Sequence, residues 1–255
     1  MSRSEPDGDH LRRPPPRPSP FQVEGVRSRA GHRVTYVFQF GIVFDKFPQL
    51  VEGALLTIRL AAMAMVFGLI VAVICAYLRT SGPKPVRMLV GAYVEAIRNT
   101  PFLVQLYIIF FSLPAIGIRF EANTAALVAM IVNLGAYATE IVRAGVQSVP
   151  VVQIETGLAL GLKRLQIYRF IILFPAIKAV FPALASQFIL LLLGSSVVSA
   201  ISANELTAVA NTLQSTTFRA FEVYIVVTLM YLAIAMAFRA LFAGIYWFVF
   251  VRGRT

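Results

Sequence analysis

The chain has 255 residues, of which 58% are hydrophobic and 14% are charged, whereas about 25% of the residues of a soluble domain are charged. This composition excludes an ordinary water-soluble domain and indicates that lipid is the main solvent. The net charge of +11 would also be typical of a protein that binds nucleic acid. However, the basic residues alternate with apolar runs, as expected for topology signals and contacts with lipid headgroups, so we predict no nucleic-acid binding.

Residues 1–33 are rich in proline, arginine and serine and show no apolar periodicity. Such a segment cannot bury enough apolar surface to offset the entropy lost on ordering. We therefore predict a disordered, basic, proline-rich tail, followed by a membrane domain over residues 34–255. The two histidines, His10 and His32, both fall in the tail, which excludes histidine chemistry from the membrane domain.

Several apolar segments approach the roughly 20 residues that a helix needs to cross a bilayer. They are Ala54–Leu78, Met88–Ile118 (interrupted), Thr124–Val142, Ala179–Ser202 and Val223–Val251. The run over 34–44 is too short to span and could lie in the membrane interface. The sequence therefore predicts an all-α polytopic membrane protein with about five transmembrane helices.

Lysine and arginine collect in alternate loops, and such residues mark cytoplasmic loops. One set of loops and the C-terminal end hold Arg79, Lys84, Arg87, Arg143, Lys163, Arg164, Arg169, Lys178, Arg252 and Arg254, while the other set holds Arg119 and Arg219. We therefore expect the 143–178 loop and the C-terminus to be cytoplasmic. Five spans would then place the N-terminal tail outside the cytoplasm, although the arginines of the tail favour the cytoplasmic side. Either its acids and length weaken that signal, or the true start lies downstream, or the span count differs.

The second apolar segment is interrupted at Arg98–Pro101. Proline disrupts a helix interior but fits the first turn of a new helix. We expect Asn99 or Thr100 to cap that new helix, whose free N–H groups would suit a carboxylate within the membrane. A simple kink is the alternative interpretation.

The stretch from Val151 to Ala176 is a loop with helical patterns of its own. We predict a helix over 153–160 with Glu155 near its start, where the macrodipole favours an acid, and Gly161 as a left-handed cap. A second helical pattern follows, which Pro175 is expected to end or kink. The small residues Thr156 and Gly157 beside Glu155 would form a thin surface able to enter a groove on a soluble partner. A solvated amphipathic loop is the alternative.

Several motifs of the chain resemble one family. In the loop, Glu155-Thr156-Gly157, Gly161 and Ile171–Pro175 resemble the E-A-A, G and I-x-L-P pattern of permease subunits of binding-protein-dependent ABC importers. Tyr93–Phe111, Ala136–Pro150 and Ile201–Ala210 resemble motifs of the polar amino-acid permeases, the histidine, glutamine, arginine and opine group. The resemblance covers about residues 40–250.

The resemblance implies the MetI-like fold of type I ABC importer permeases, in a bacterial cytoplasmic (inner) membrane. It also implies that the loop over about 144–178 couples to a cytoplasmic ATPase dimer, which alone binds ATP. The coupling residues so implied are Gln153, Glu155, Thr156, Gly157 and Gly161. The other implied partners are membrane lipid, an external amino-acid-binding protein and a second permease subunit.

The fourth apolar segment departs from the family pattern. Where the family carries K-D-T-S-L, this chain has Leu193-Gly194-Ser195-Ser196-Val197 and so lacks a lysine–aspartate pair. This loss favours a heterodimer of permeases over a homodimer, with this chain as the less polar half.

Polar residues inside membrane segments line paths or join helices. The candidates for the substrate path are Asn99, Thr100, Gln105, Asn133, Gln187, Ser195 and Ser196. We further expect ion pairs of structural character within Glu140/Arg143 and within Glu95/Arg98, since each pair is three residues apart. Arg239 lies deep in the last segment, where pairing with a neighbouring helix is possible and its partner is left open.

No motif for nucleotide binding or catalysis is present in the sequence, because G-x-x-x-x-G-K-[ST] is absent. We therefore expect a transport subunit that is not an enzyme and that needs no cofactor of its own. The alternatives are an ion-coupled secondary transporter, an ABC permease for another small polar solute, and a membrane scaffold without transport.

Overall fold

The structure is a computed structural model that describes residues 36–252, so the predicted tail over 1–33 lies outside the described residues. From Phe38 onwards, contacts group the chain into one compact unit. The helices of this unit, in chain order, are α1 (Phe40–Asp45), α2 (Phe47–Ser81), α3 (Lys84–Arg98), α4 (Phe102–Ile116), α5 (Ala122–Gln147), α6 (Val151–Ala159), α7 (Arg164–Ile201), α8 (Leu206–Thr217) and α9 (Ala220–Val251).

Four of these helices, α2, α5, α7 and α9, are long and apolar enough to cross a membrane. Helices α3 and α4 pass the same test together, but they are bent by 111° at a short break, so the count reaches five if the pair is one span. These elements overlap the five predicted segments, including the interruption of the second. The predicted class, an all-α polytopic bundle, is confirmed.

The centre of the bundle is the contact between α2 and α5, where small residues allow the helix backbones to approach closely. Ala61, Ala64, Ala126 and Ala129 are fully buried there, and α5 also packs against α3 and α7. Burial of apolar surface does little to associate helices in lipid, so the contact is stabilised mainly by close van der Waals packing between small residues. Helix α5 is therefore the element around which α2, α3 and α7 are arranged, while α9 packs against α7.

The fourth span begins much earlier than predicted. Helix α7 runs from Arg164 without a break, whereas the sequence placed the span at Ala179 and expected Pro175 to end or kink the preceding helix. This expectation was wrong. The turns over Ile167–Ile172 are π-helical, which shifts the hydrogen-bond register just before the proline that cannot donate. The loop's second helix and the fourth span are thus one element.

Candidate functional site

The first helix of the loop, α6, follows Pro150, whose φ of −59° suits the residue before a helix. Because α6 begins at Val151 and not at Gln153, Glu155 lies in its second turn, and the predicted position near the helix start is wrong. Gln153, Glu155 and Thr156 are all exposed, and the Thr156 hydroxyl donates to the Val152 carbonyl oxygen at 2.8 Å. The outward surface of α6 thus carries one carboxylate and one amide.

Gly161 ends α6 in the left-handed conformation, with φ of +77°, as predicted. The Gly161 N–H donates to the Leu158 carbonyl at 2.9 Å, and the Leu162 N–H donates to the Gly157 carbonyl at 3.1 Å. Together these two bonds form a Schellman motif, which satisfies the last carbonyls of the helix. The turn between α6 and α7 therefore has a defined geometry.

Replacing Gly161 by alanine is expected to lower the free energy of unfolding by about 1–2 kcal/mol, because a Cβ disfavours left-handed backbone. Gly244→Ala is the matched control, since Gly244 lies in a helix interior where an added Cβ would have no atom within 4 Å, so this variant should gain stability. Equilibrium unfolding of both variants in mixed micelles checks this. Equal effects of the two substitutions would contradict the role of the turn.

Gly157 faces inward, which corrects the expectation that it forms part of an outward surface. It is buried, and a Cβ on it would lie 2.6 Å from Ile171 Cδ1 and 3.2 Å from Ile167 Cγ1. Both isoleucines lie in the π-helical turns of α7. Gly157 therefore allows α6 to pack directly on the start of the fourth span.

The break between α3 and α4 is not capped as predicted. Pro101 is the N-cap residue of α4, and Asn99 and Thr100 bond back into α3. The Asn99 amide donates to the Glu95 carbonyl at 2.8 Å, and the Thr100 hydroxyl donates to the Ala96 carbonyl at 2.7 Å. These side chains satisfy the carbonyl end of α3 because proline at 101 cannot donate to it.

Gln105 reaches back across the break from the first turns of α4. Its amide nitrogen donates to the Ile97 carbonyl at 2.7 Å and to the Thr100 carbonyl at 3.0 Å. Its amide oxygen accepts from Asn133 Nδ2 on α5 at 2.9 Å. The 111° bend is therefore held by one buried side chain and fastened to α5.

Three of the predicted path residues line one cavity of about 350 Å³. Thr100 at the break, Asn133 on α5 and Gln187 on α7 face it, together with Tyr137 and Gly194. Amide groups from two helices thus face one cavity that Phe102, Leu190 and Leu191 also line, and these amides can both donate and accept hydrogen bonds. This arrangement suits a small zwitterionic or neutral polar solute.

The other candidate path residues lie outside this lining. Gln105 is behind the cavity and positions Asn133, and Asn99 is exposed beside Glu95. Ser195 is buried and donates to the Leu192 carbonyl, while Ser196 is half-buried and donates to the Leu193 carbonyl. Both serines use their hydroxyls within their own helix, so they do not bridge helices.

The predicted Glu140–Arg143 pair is present, with Nη2 and Oε2 2.7 Å apart. The predicted Glu95–Arg98 pair is not formed. Arg98 instead lies over the Tyr137 ring at 5.6 Å, and Glu95 is 3.9 Å from Arg79 Nη2. Spacing on one helix could not reveal Arg79, which comes from α2 and also pairs with Glu140.

Sequence reasoning missed Glu205, which lies between α7 and α8 and is fully buried. Its carboxylate accepts from the Tyr231 hydroxyl at 2.6 Å and from the Ala208 N–H at 2.9 Å, and Thr57 lies beside it. An acidic residue just before a helical pattern is a candidate N-cap, so the position of Glu205 before Leu206–Thr217 could have been noticed in the sequence. Its partners on α2 and α9 have no such signal.

Arg239, whose partner the sequence left open, is exposed and borders a second cavity, between α7 and α9, with Ser186 and Tyr246. Within residues 36–252, no carboxylate lies within ion-pair distance of it. The expected pairing with a neighbouring helix of the described part of the chain is therefore not found.

Comparisons with known proteins agree with this architecture. Residues 55–246 match the family described as "Binding-protein-dependent transport system inner membrane component". The chain is 33% identical over 201 residues to the glutamine transport system permease protein GlnP of Escherichia coli (strain K12), covering 78% of this chain and 92% of the relative. It is 40% identical over 159 residues to the L-cystine transport system permease protein TcyB of Bacillus subtilis (strain 168), covering 62% and 68%.

Solved structures are similar as well. A crystal structure of an amino acid ABC transporter with histidines matches with a TM-score of 0.78 and 34% identity, over 83% of this chain and 99% of that one. The MetNI methionine ABC transporter matches with a TM-score of 0.68 and 20% identity, over 79% and 96%, which supports the MetI-like fold alone. Since the family match takes in most of the chain, this protein belongs to the family of binding-protein-dependent transport system inner membrane components.

Proposed function

We propose that the chain is the permease subunit of an ATP-driven importer of polar amino acids. Two relatives are named as transport permeases for glutamine and for L-cystine, and a similar solved structure is described as an amino acid ABC transporter. The cavity at the helix break supports this substrate class, since Asn133 and Gln187 face it with neutral amides. In this proposal Thr100, Asn133 and Gln187 contact the solute, and Gln105 holds Asn133 in place.

The surface of α6 is the single observation that carries the coupling role. Val152 is 69% exposed and Leu158 is 53% exposed, on the same short helix as the exposed Glu155. A solvated amphipathic loop would bury its apolar side chains, whereas a surface that mixes exposed apolar groups with an acid is typical of a protein contact. We therefore assign α6, with Gln153, Glu155 and Thr156, as the contact with a soluble ATPase.

The remaining assignments follow from that contact. The ATPase is cytoplasmic, so α6 and the C-terminus lie on the cytoplasmic side, as the arginines and lysines of the loops favour. ATP is bound and hydrolysed by the partner, and an external binding protein delivers the solute. We propose a second, different permease subunit, because Leu193–Val197 lacks the charged pair of the family and Leu193 is exposed.

The test is affinity purification of the tagged chain from native membranes, comparing wild type with Glu155→Lys. We expect the soluble ATPase to be depleted at least about tenfold in the variant, because reversing a charge that is desolvated at an interface costs roughly 1.4 kcal/mol or more. Glu52→Lys is the matched control, since Glu52 is also an exposed helical acid, on α2. Mass spectrometry of the eluates also shows whether a second permease is present.

Equal recovery of the ATPase with wild type and Glu155→Lys would contradict the coupling role of α6. If no ATPase is recovered with wild type under gentle extraction, the importer proposal loses its energy source. In that case, uptake driven by an ion gradient in ATP-free vesicles would identify a secondary transporter instead.

A further inference from the structure

A cluster of charged side chains joins three helices at the end of the bundle where the loop begins. Glu140 on α5 contacts Arg79 of α2, and its other oxygen accepts from Arg143 Nε and Nη2 at 3.1 and 2.7 Å. Arg143 also donates to Gln147 Oε1 at 2.8 Å, and Arg79 lies 3.9 Å from Glu95 of α3. The Glu140 carboxylate is therefore the hub of the cluster.

The hub is only 18% exposed, and its two arginine partners are 23% and 30% exposed. Pairs that are partly shielded from water are screened less than surface pairs. Removing the negative charge would leave Arg143 without its ion-pair partner and Arg79 with Glu95 alone, at 3.9 Å. At this end of the bundle, the carboxylate therefore adds an ionic link between α5 and α2 to the packing of their small residues.

The hub lies between the cavity and the loop on the same helix. Asn133 and Tyr137, one to two turns before Glu140, line the cavity at the helix break. Gly145, just over one turn after it, packs directly on Val180 and on the Ala176 carbonyl of α7. Pro150 then leads into α6. A displacement of α6 can reach the cavity along α7, which carries Gln187, and along α5, on which the hub lies between α6 and Asn133.

We propose that Glu140 is a positioning residue for energy coupling. It holds α5 to Arg79 of α2, which also pairs with Glu95 of α3, so that a movement of α6 and the start of α7 changes the cavity walls instead of sliding α5 past its neighbours. This inference rests on the proposed function. It adds a step that the loop contact alone does not supply, namely the link from the ATPase contact to the solute cavity.

The test uses the whole transporter in proteoliposomes, with its ATPase, second permease and binding protein. The probe is a mixture of ¹⁴C-labelled glutamine, histidine and arginine, and the measured quantity is ATP hydrolysed per amino acid accumulated. We expect Glu140→Gln to raise this ratio about tenfold, a change within the usual range of coupling between sites. Glu140→Asp, which keeps the charge, should raise it less than about threefold.

A double-mutant cycle shows whether the hub acts through its partner. Arg79→Gln combined with Glu140→Gln should be no worse than Glu140→Gln alone, because both remove the same link, whereas independent effects would multiply. Glu121→Gln is the matched control: Glu121 is an exposed acid next to the other end of α5, with no ion pair to the described residues.

The outcomes separate this inference from the proposed function. If wild type accumulates amino acid with ATP and Glu140→Gln lowers hydrolysis and uptake in proportion, the ratio is unchanged, the role is merely structural and the inference is overturned. If wild type itself shows no ATP-dependent accumulation, the proposed function fails and this inference fails with it. A raised ratio together with non-additivity supports the hub.

Discussion

Replacing Glu205 by alanine is expected to lower the free energy of unfolding by about 3 kcal/mol, because the buried groups that it serves lose their acceptor. The Tyr231 hydroxyl and the Ala208 N–H donate to its carboxylate at 2.6 and 2.9 Å, where the residue has no exposed surface. The side chain also links α8 to α2 and α9. Equilibrium unfolding in mixed micelles measures the loss, and a change below about 0.5 kcal/mol, typical of surface sites, would contradict it.

Glu205→Gln is the control, because glutamine keeps the acceptor oxygen and resembles the protonated acid. Burial raises the pKa of Glu205 above its ordinary value, which is about 4.3. As the pH rises through the ordinary pKa, this carboxyl ionises in the unfolded chain while it is still protonated in the folded one. The free energy of unfolding therefore falls with pH until the pH passes the raised pKa of the folded state. We therefore expect the wild type to lose stability relative to Glu205→Gln as the pH rises from about 4. Parallel pH profiles would show that the carboxyl ionises equally in both states.

Two glycine-to-alanine substitutions are expected to act in opposite directions. A Cβ at Gly145 would overlap Val180 Cγ1 and lie 3.2 Å from the Ala176 carbonyl, whereas a Cβ at Gly91 would have no atom within 4 Å. Gly145→Ala should therefore lower the free energy of unfolding by about 2 kcal/mol through overpacking. Gly91→Ala should raise it by about 0.5–1 kcal/mol, because it lowers the backbone entropy of the unfolded chain.

Both glycines lie inside helices, α5 and α3, so helix propensity alone predicts the same gain for each. The difference between the two variants thus isolates the contact between α5 and α7. It is measured by unfolding the two variants side by side in the same micelles. Stabilisation by Gly145→Ala would show that the two helices are further apart than described, and would weaken the route from α6 to the cavity.

The sequence was sufficient for features that depend on local patterning. Apolar runs of membrane length located the spans, Pro101 located the break, and a glycine after a helical pattern located the left-handed turn at Gly161. Each of these depends on residues close in the chain, for which propensity and periodicity are direct physical signals. The family, too, was indicated by motifs that are short and continuous in the chain.

Features that depend on contacts between distant residues were missed. The direction of Gly157 is fixed by Ile167 and Ile171, and Glu140 pairs with an arginine from another helix. The predicted start of the fourth span was too far along the chain because Pro175 was expected to end the preceding helix. The π-helical turns that precede Pro175 have no sequence signal. Charge spacing on one helix correctly gave Glu140–Arg143, but it could not show that Arg98 turns to Tyr137.

Helix α7 has mechanical consequences because of its length. Its 38 residues extend roughly 57 Å at about 1.5 Å per residue, well beyond the roughly 30 Å of a hydrocarbon core. Gln187, at the cavity, lies about 34 Å from the end that carries α6. The portion of α7 between Gln187 and Arg164 is therefore longer than the portion between Gln187 and Ile201. A tilt of about 10° around Gln187 would displace the end at Arg164 by about 6 Å while the walls of the cavity turn in place. In the proposed transport cycle, a large displacement of the loop would thus become a small rotation of the cavity walls.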